Sequence, residues 1–265
     1  FVIITAGIDL SVGTVMTLSA VMTGVAVTNQ GLPVPVGIVV GLLTGTTAGL
    51  LSGLMIARMK IPPFIATLGM MMIARGLSLV ISGVKPIYFN DTPGFRDIMM
   101  GSVVGAVIPG FSVPNAVFIL FGASLVAAFI LGKTVLGRYA VAIGSNEEAT
   151  RLSGVNVANW KTAIYALGGA FSGLAGVMIA SRLNSAQPAL GIGYELEAIA
   201  AVVIGGTSLS GGEGTILGTL IGALIISTLT NGLRILSVPQ EWQMVITGVI
   251  VVLAVYLDII RRRGR

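Results

Sequence analysis

The chain has 265 residues, of which 55% are hydrophobic and 9% charged, against about 25% charged in soluble domains, so composition alone excludes an ordinary soluble protein and gives a polytopic membrane protein. It has no cysteine and no histidine, which excludes disulfides, thiolate metal sites and the usual proton shuttle. The net charge of +5 is not a nucleic-acid signal, because the basic residues, Arg75 apart, sit between apolar segments and mark their ends.

Taken in order, Phe1 to Ile8 reads as the tail of an apolar segment. The chain starts inside that run and without Met, which predicts a missing N-terminal part with at least one membrane segment. Val12 to Thr28 is a second segment. Val36 to Ala57 is a third, with Gly41, Gly45, Gly49 and Gly53 forming a smooth ridge for a neighbouring helix. Pro62-Pro63 opens a helix that runs to about Gly83. It carries Arg75, which needs an inward partner or a snorkelling route. Val84 to Asn115 is mixed, and its apolar part, Ile98 to Ile108, is too short to span, so an interfacial or re-entrant piece is expected. Ala116 to Gly132 spans.

Gly137 to Lys161 is the longest strongly polar run. Its middle predicts a short helix: Ser145 as N-cap with Glu148 completing a capping box, Glu147 and Arg151 paired at i, i+4, and Gly154 as a C-terminal stop. Ala149 and Leu152 give it a small apolar face. About two turns are too few for stability alone in water, so membrane helices or a partner protein must hold it. A solvated connecting loop that happens to be helical has the same spacing.

Thr162 to Ser181 spans, with Gly169, Gly173 and Gly176. Arg182 to Gly193 is polar, and Glu195 and Glu197 are expected at the outer interface. Leu196 to Ser210 is apolar but short and ends in Gly211-Gly212-Glu213-Gly214. Thr215 to Leu233 spans, and Gln243 to Ile260 spans before Arg261, Arg262 and Arg263. The expected fold is therefore all-α, a single membrane-spanning unit over 1–265. It has about nine segments, some short or broken, and about ten with a missing first helix. Placing the C-terminal arginines in the cytoplasm and alternating backwards puts ten basic residues inside (Arg58, Lys60, Lys133, Arg138, Arg151, Lys161, Arg261, Arg262, Arg263 and Arg265). Four lie outside (Lys85, Arg96, Arg182 and Arg234), as the positive-inside bias requires.

A short internal echo stands out. Gly7 to Gly13 and Gly206 to Gly212 both read G-x-x-L-S-x-G. Glycine-broken apolar segments in corresponding places point to a transporter's central path, where freed backbone groups need water, protein or substrate. Such echoes also arise by chance in a glycine-rich chain. The echo nominates Asp9, Ser11, Gly206, Thr207, Ser208 and Ser210 as path candidates. Asp9 is a costly carboxylate near membrane depth that either caps the helix starting near Ser11 or faces the path. There is no P-loop, no metal cluster and no nucleophile with a base, so the chain is not expected to be an enzyme.

Glu148-Ala149-Thr150 followed by Gly154 resembles the E-A-A-x-x-x-G loop of ABC-importer permeases. Thr150 replaces the second Ala, and Ala166-Leu167 stand where Leu-Pro belongs. Those departures, with GIDLSVG at Gly7, GRYAVAIGSN at Gly137 and AVVIGGTSLSGGEGT at Ala201, resemble the ribose, xylose and galactose type of sugar permease. The resemblance implies a coupling loop over about 133–161 that docks on a separate ATPase subunit through Ser145, Asn146, Glu147, Glu148, Ala149, Arg151, Leu152 and Gly154. It also implies a homodimer in the lipid of a bacterial inner membrane, with a solute-binding protein outside. ATP and Mg would sit on the ATPase, and no cofactor is expected in this chain. The implied substrate is a monosaccharide moved by alternating access. A branched-chain amino-acid or nucleoside permease of the same superfamily, or an ion-coupled secondary transporter, is the alternative reading.

Overall fold

The computed structural model describes residues 1–108 and 110–263. Pro109, inside the mixed stretch, and Arg265, counted above with the basic end, lie outside them. The chain is mostly helical. The helices are α1 (Val12–Gly24), α2 (Val34–Ala57), α3 (Pro63–Ser82), the short α4 (Asp97–Met100) and α5 (Val103–Val107), α6 (Asn115–Lys133), α7 (Val135–Ser145), α8 (Glu147–Leu152), α9 (Val157–Leu183), α10 (Tyr194–Ile204), α11 (Ile216–Ile235) and α12 (Gln240–Arg263). Departing from an all-α expectation, β1 (Ile87–Tyr88) and β2 (Ser185–Ala186) pair antiparallel, with Ile87 opposite Ala186.

Among the described residues six helices are long and apolar enough to cross a membrane: Val12–Asn29, which continues α1 through a π turn, then α2, α3, α6, α9 and α11. The segment expected over Phe1 to Ile8 is instead a single 3-10 turn at Ile3–Thr5. The one expected over Leu196 to Ser210 is the 11-residue α10 followed by irregular chain. At 1.5 Å per residue α10 is roughly 16 Å long, about half a bilayer core.

The centre is built from α1, α2 and α9. The glycine ridge of α2 meets that of α9 so closely that a Cβ on Gly45 would lie 2.7 Å from Gly173 Cα, and one on Gly49 would lie 3.0 Å from Gly169 Cα. Backbones approach this way only where side chains are missing from both faces. Some buried hydroxyls inside these helices return to their own carbonyls: Thr23 Oγ1 donates to Ser19 O at 2.8 Å and Ser172 Oγ to Gly168 O at 3.1 Å. The hydroxyls of Ser19, Ser52 and Tyr165 are buried there without a partner among the described residues. α10 and α11 form a second close pair, with Gly205 and Gly218 each blocking a Cβ on the other.

Two contacts fix the ends of the bundle. Arg58 Nη2 donates to Asn159 Oδ1 at 3.3 Å, which puts the end of α2 beside the start of α9. At the opposite end Ser181 Oγ, on α9, donates to Phe95 O at 2.8 Å and accepts from Met99 N at 3.1 Å. Phe89 and Phe95 stack there at 3.7 Å between ring centroids. The stretch Ile98 to Ile108 thus forms part of α4 and all of α5, seated with the β pair over one end of the bundle. Arg75 is exposed on α3 and takes part in no ion pair among the described residues.

Candidate functional site

Asp9 lies in the irregular chain that precedes α1, and it is buried. Its Oδ1 accepts from Ser11 N at 2.8 Å and from Ser11 Oγ at 2.7 Å. The carboxylate therefore closes a turn at the N-terminal end of α1, where the helix dipole favours an anion. Glu195 does the same for α10: both carboxylate oxygens accept from Gly193 N at 3.1 Å. The expectation of Glu195 at an outer interface is corrected, since it is buried, and a Cβ on Gly13 would lie 2.8 Å from its Oε2. Its apolar neighbours in sequence hid this, because the packing partner is 182 positions away in the chain. Glu197 is exposed.

Between these two helix starts and α9 is a cavity of about 390 Å³, lined by Phe1, Asp9, Gly13, Phe171, Ser172 and Tyr194 among others. A second cavity of about 290 Å³ shares Phe1, Phe171 and Val202 with it and reaches Thr207, Thr215 and Ser124. The two volumes adjoin, and their walls carry few polar groups. Of the echo residues, Asp9 lines the first cavity and Thr207 the second. Ser11 is buried behind Asp9, Ser208 is buried within the loop that follows α10, and Gly206 and Ser210 are exposed. That loop closes on itself: Ser208 N donates to Glu213 O at 3.1 Å and Ser210 N to Ser208 Oγ at 3.2 Å.

The polar helix exists as α8, with three local differences from expectation. α7 runs through Ser145, so the N-cap is Asn146. Its Oδ1 accepts from Ala149 N at 2.9 Å, and its extended backbone at φ −160 breaks α7 from α8. With the start shifted by one residue no Ser145–Glu148 capping box forms. Glu148 pairs instead with Arg151 at i, i+3, and Glu147 reaches Lys161 on α9. Gly154 has φ +84 and ends the helix as expected. Thr150 faces inward and is buried, whereas Ala149 is exposed and Leu152 is 78% exposed. The apolar pair therefore points away from the bundle.

A bundle of apolar helices around adjoining cavities, entered by broken segments and ending in a projecting polar helix, defines an integral membrane protein built for transport. The chain belongs to the family described as branched-chain amino acid transport system / permease component, which it matches over residues 1–255. It is 48% identical over 259 residues to Ribose import permease protein RbsC of Bacillus subtilis (strain 168), covering 97% of this chain and 78% of that protein. The protein of the same name in Escherichia coli (strain K12) is 44% identical over the same shares. Fructose import permease protein FrcC of Rhizobium meliloti is 39% identical over 264 residues, covering 97% of this chain and 71% of that protein. No solved structure matches. As a permease component the chain is not itself an enzyme.

Proposed function

We propose that the chain is the membrane-spanning subunit of an ATP-driven importer for a ribose-type monosaccharide. The observation that carries the reading is the pair of adjoining cavities. Among the described residues their lining includes aromatic rings and the carboxylate of Asp9, but no Lys or Arg. A neutral sugar can present its C–H faces to Phe1 and Phe171 and its hydroxyls to Asp9 and Thr207. A zwitterionic amino acid would leave its own carboxylate uncompensated in the same space, at considerable cost. Few polar wall groups also suit a path, which must release what it accepts. Relatives named for ribose import, fructose import and xylose transport agree with this choice.

In this reading residues 133–161 are the coupling loop of a single permease domain, and the exposed Ala149 and Leu152 enter a groove on a separate ATPase. That partner holds ATP and Mg, a solute-binding protein delivers sugar at the end carrying the β pair, and a second copy completes the importer. Exposed Arg75 on α3 favours such a copy or a polar neighbour, because a charge facing lipid is expensive. Arg58, Lys60, Lys133, Arg138, Arg151 and Lys161 gather at the α8 end, which supports placing that end, with the C-terminus, in the cytoplasm of a bacterial cell. In this reading α10, α12 and the entry segment join the six long helices as the remaining parts of about nine membrane segments, α10 and the entry segment being short or broken ones.

The test is reconstitution of the chain with its ATPase and binding protein in vesicles. ATP-dependent uptake of labelled ribose that is insensitive to excess leucine supports the reading. Leucine uptake without ribose uptake would transfer it to the amino-acid branch.

A further inference from the structure

Three separate stretches of backbone meet where α7 ends. Gly212 N donates to Ile4 O at 2.8 Å. A Cβ on Gly144 would overlap Ile4 O and lie 2.5 Å from Gly212 N. One on Gly211 would lie 2.9 Å from both Ala6 N and Gly144 O, and one on Gly212 would lie 2.6 Å from Ser145 Oγ. Residues 4–6 lead within three positions to Asp9 on the first cavity. Residues 211–212 belong to the closed loop that carries Thr207 on the second. Residues 144–145 are followed, after Asn146 alone, by α8. The two broken segments and the end of α7, one residue before the polar helix begins, are thus in direct contact at one point.

We propose that this junction of Ile4, Gly144, Gly211 and Gly212 is the transmission element of the transporter, moving both cavity walls as one body when α8 is displaced. The proposal rests on the reading of α8 as the ATPase-docking helix. Its physical basis is the lack of any side chain between the three backbones. Close-packed atoms pass on a displacement that flexible side chains would absorb by changing rotamer. Gly144 is the decisive position. It lies inside α7 rather than at a positive φ, so alanine there suits the helix better than glycine does. Only the contact with Ile4 and Gly212 is disturbed. Gly211 and Gly212, at φ +84 and +78, also need glycine for their backbone conformation.

The experiment compares Gly144→Ala with Gly132→Ala, a helical position with open space around it. Each full-length variant is purified with its ATPase and reconstituted with ribose and the binding protein. For Gly144→Ala we expect the ATPase to co-purify as in wild type and basal hydrolysis to persist, while substrate-stimulated hydrolysis and uptake fall tenfold or more. Gly132→Ala should match wild type. A second preparation, Ser145→Cys with Gly212→Cys, joins the two segments covalently in a chain with no other cysteine. Cysteine at Gly212 strains the backbone equally in both redox forms, so the comparison is oxidised against reduced with uptake in the reduced form as the reference. One body tolerates the bond, so uptake by the oxidised form should equal or exceed that measured uptake. Coupled uptake at wild-type level in Gly144→Ala overturns the proposal, as does uptake blocked by oxidation and restored by dithiothreitol. Loss of ATPase co-purification in Gly144→Ala also overturns it, because the contact would then shape docking rather than transmit it. Failure of the wild type to retain any ATPase would instead refute the docking reading underneath.

Discussion

Asn146 Oδ1 accepts a hydrogen bond from Ala149 N at 2.9 Å, while Ser145, one residue earlier, still belongs to α7. The cap of the polar helix is therefore Asn146. Asn146→Ala should cost about 1 kcal/mol of local stability, and Ser145→Ala much less. If only the docked helix must be ordered, that loss weakens ATPase association about fivefold. Titrating the ATPase against both variants in detergent measures it. Equal affinities for the two would show that the cap does not govern docking.

Ala149 is exposed on α8, next to buried Thr150. A helix that enters a groove by this side needs a small residue there, so Ala149→Arg should block docking by overlap and by an unpaired charge. Co-purification of the ATPase is expected to fall below a tenth of wild type, with binding-protein affinity at the other end unchanged. Wild-type co-purification would reduce α8 to a connecting loop.

Much of this was legible in the sequence. The spans at Val12, Val34, Pro63, Asn115 and Ile216 begin within two residues of where hydropathy puts them, because each is bounded by Pro, Asn or Thr and by charge. The glycine spacing of α2 marks it for close packing on a neighbouring helix, and the structure identifies that neighbour as α9. α9 starts five residues early because Asn156, whose Oδ1 accepts from Asn159 N, caps a polar first turn that no hydropathy scale extends. The cap at Asn146 was missed because Ser145 and Asn146 are equally good caps locally. Only the length of α7 decides between them, and packing on residues 3–6 and α9 sets that length. Glu195 beside Gly13 and the junction at Gly144 depend on pairings across the whole chain, which a single sequence does not encode as a pattern.

The orientation has its own check. The chain lacks cysteine, so single cysteines at the exposed residues 90, 146 and 189 report sidedness cleanly. An impermeant maleimide applied to intact cells should label positions 90 and 189 and leave 146 unlabelled until the cells are opened. Labelling of 146 from outside would invert the bundle and remove the ATPase from reach of α8.

Tyr165 is 1% exposed, and its hydroxyl has no hydrogen-bond partner among the described residues. It packs over Gly7 and against Gly53, so its value lies in the ring. Tyr165→Phe removes a buried polar group without partners and should leave stability unchanged or raise it by about 0.5–1 kcal/mol. Tyr165→Ala opens a cavity between α2, α9 and the first broken segment and should cost about 3–5 kcal/mol. Thermal unfolding in one detergent compares them. A large loss in Tyr165→Phe would mean that the hydroxyl has a partner in the membrane, such as ordered water.

Asp9 separates structure from transport because its two jobs need different atoms. Oδ1 closes the turn onto Ser11 N and Oγ, a task the amide oxygen of Asn performs as well. The negative charge, which makes the carboxylate a strong acceptor for sugar hydroxyls, is lost in Asn. Asp9→Asn should keep wild-type membrane abundance and melting temperature while lowering ribose uptake about tenfold, equivalent to about 1.4 kcal/mol. Asp9→Ala should show the same transport defect and, in addition, lose about 1 kcal/mol of stability with the cap. Uptake per folded molecule, with abundance measured by blot, keeps the two effects apart. Full uptake in Asp9→Asn with a defect confined to Asp9→Ala would make the residue a helix cap and nothing more. The hydroxyl acceptor of the first cavity would then have to be Ser172 or Tyr194.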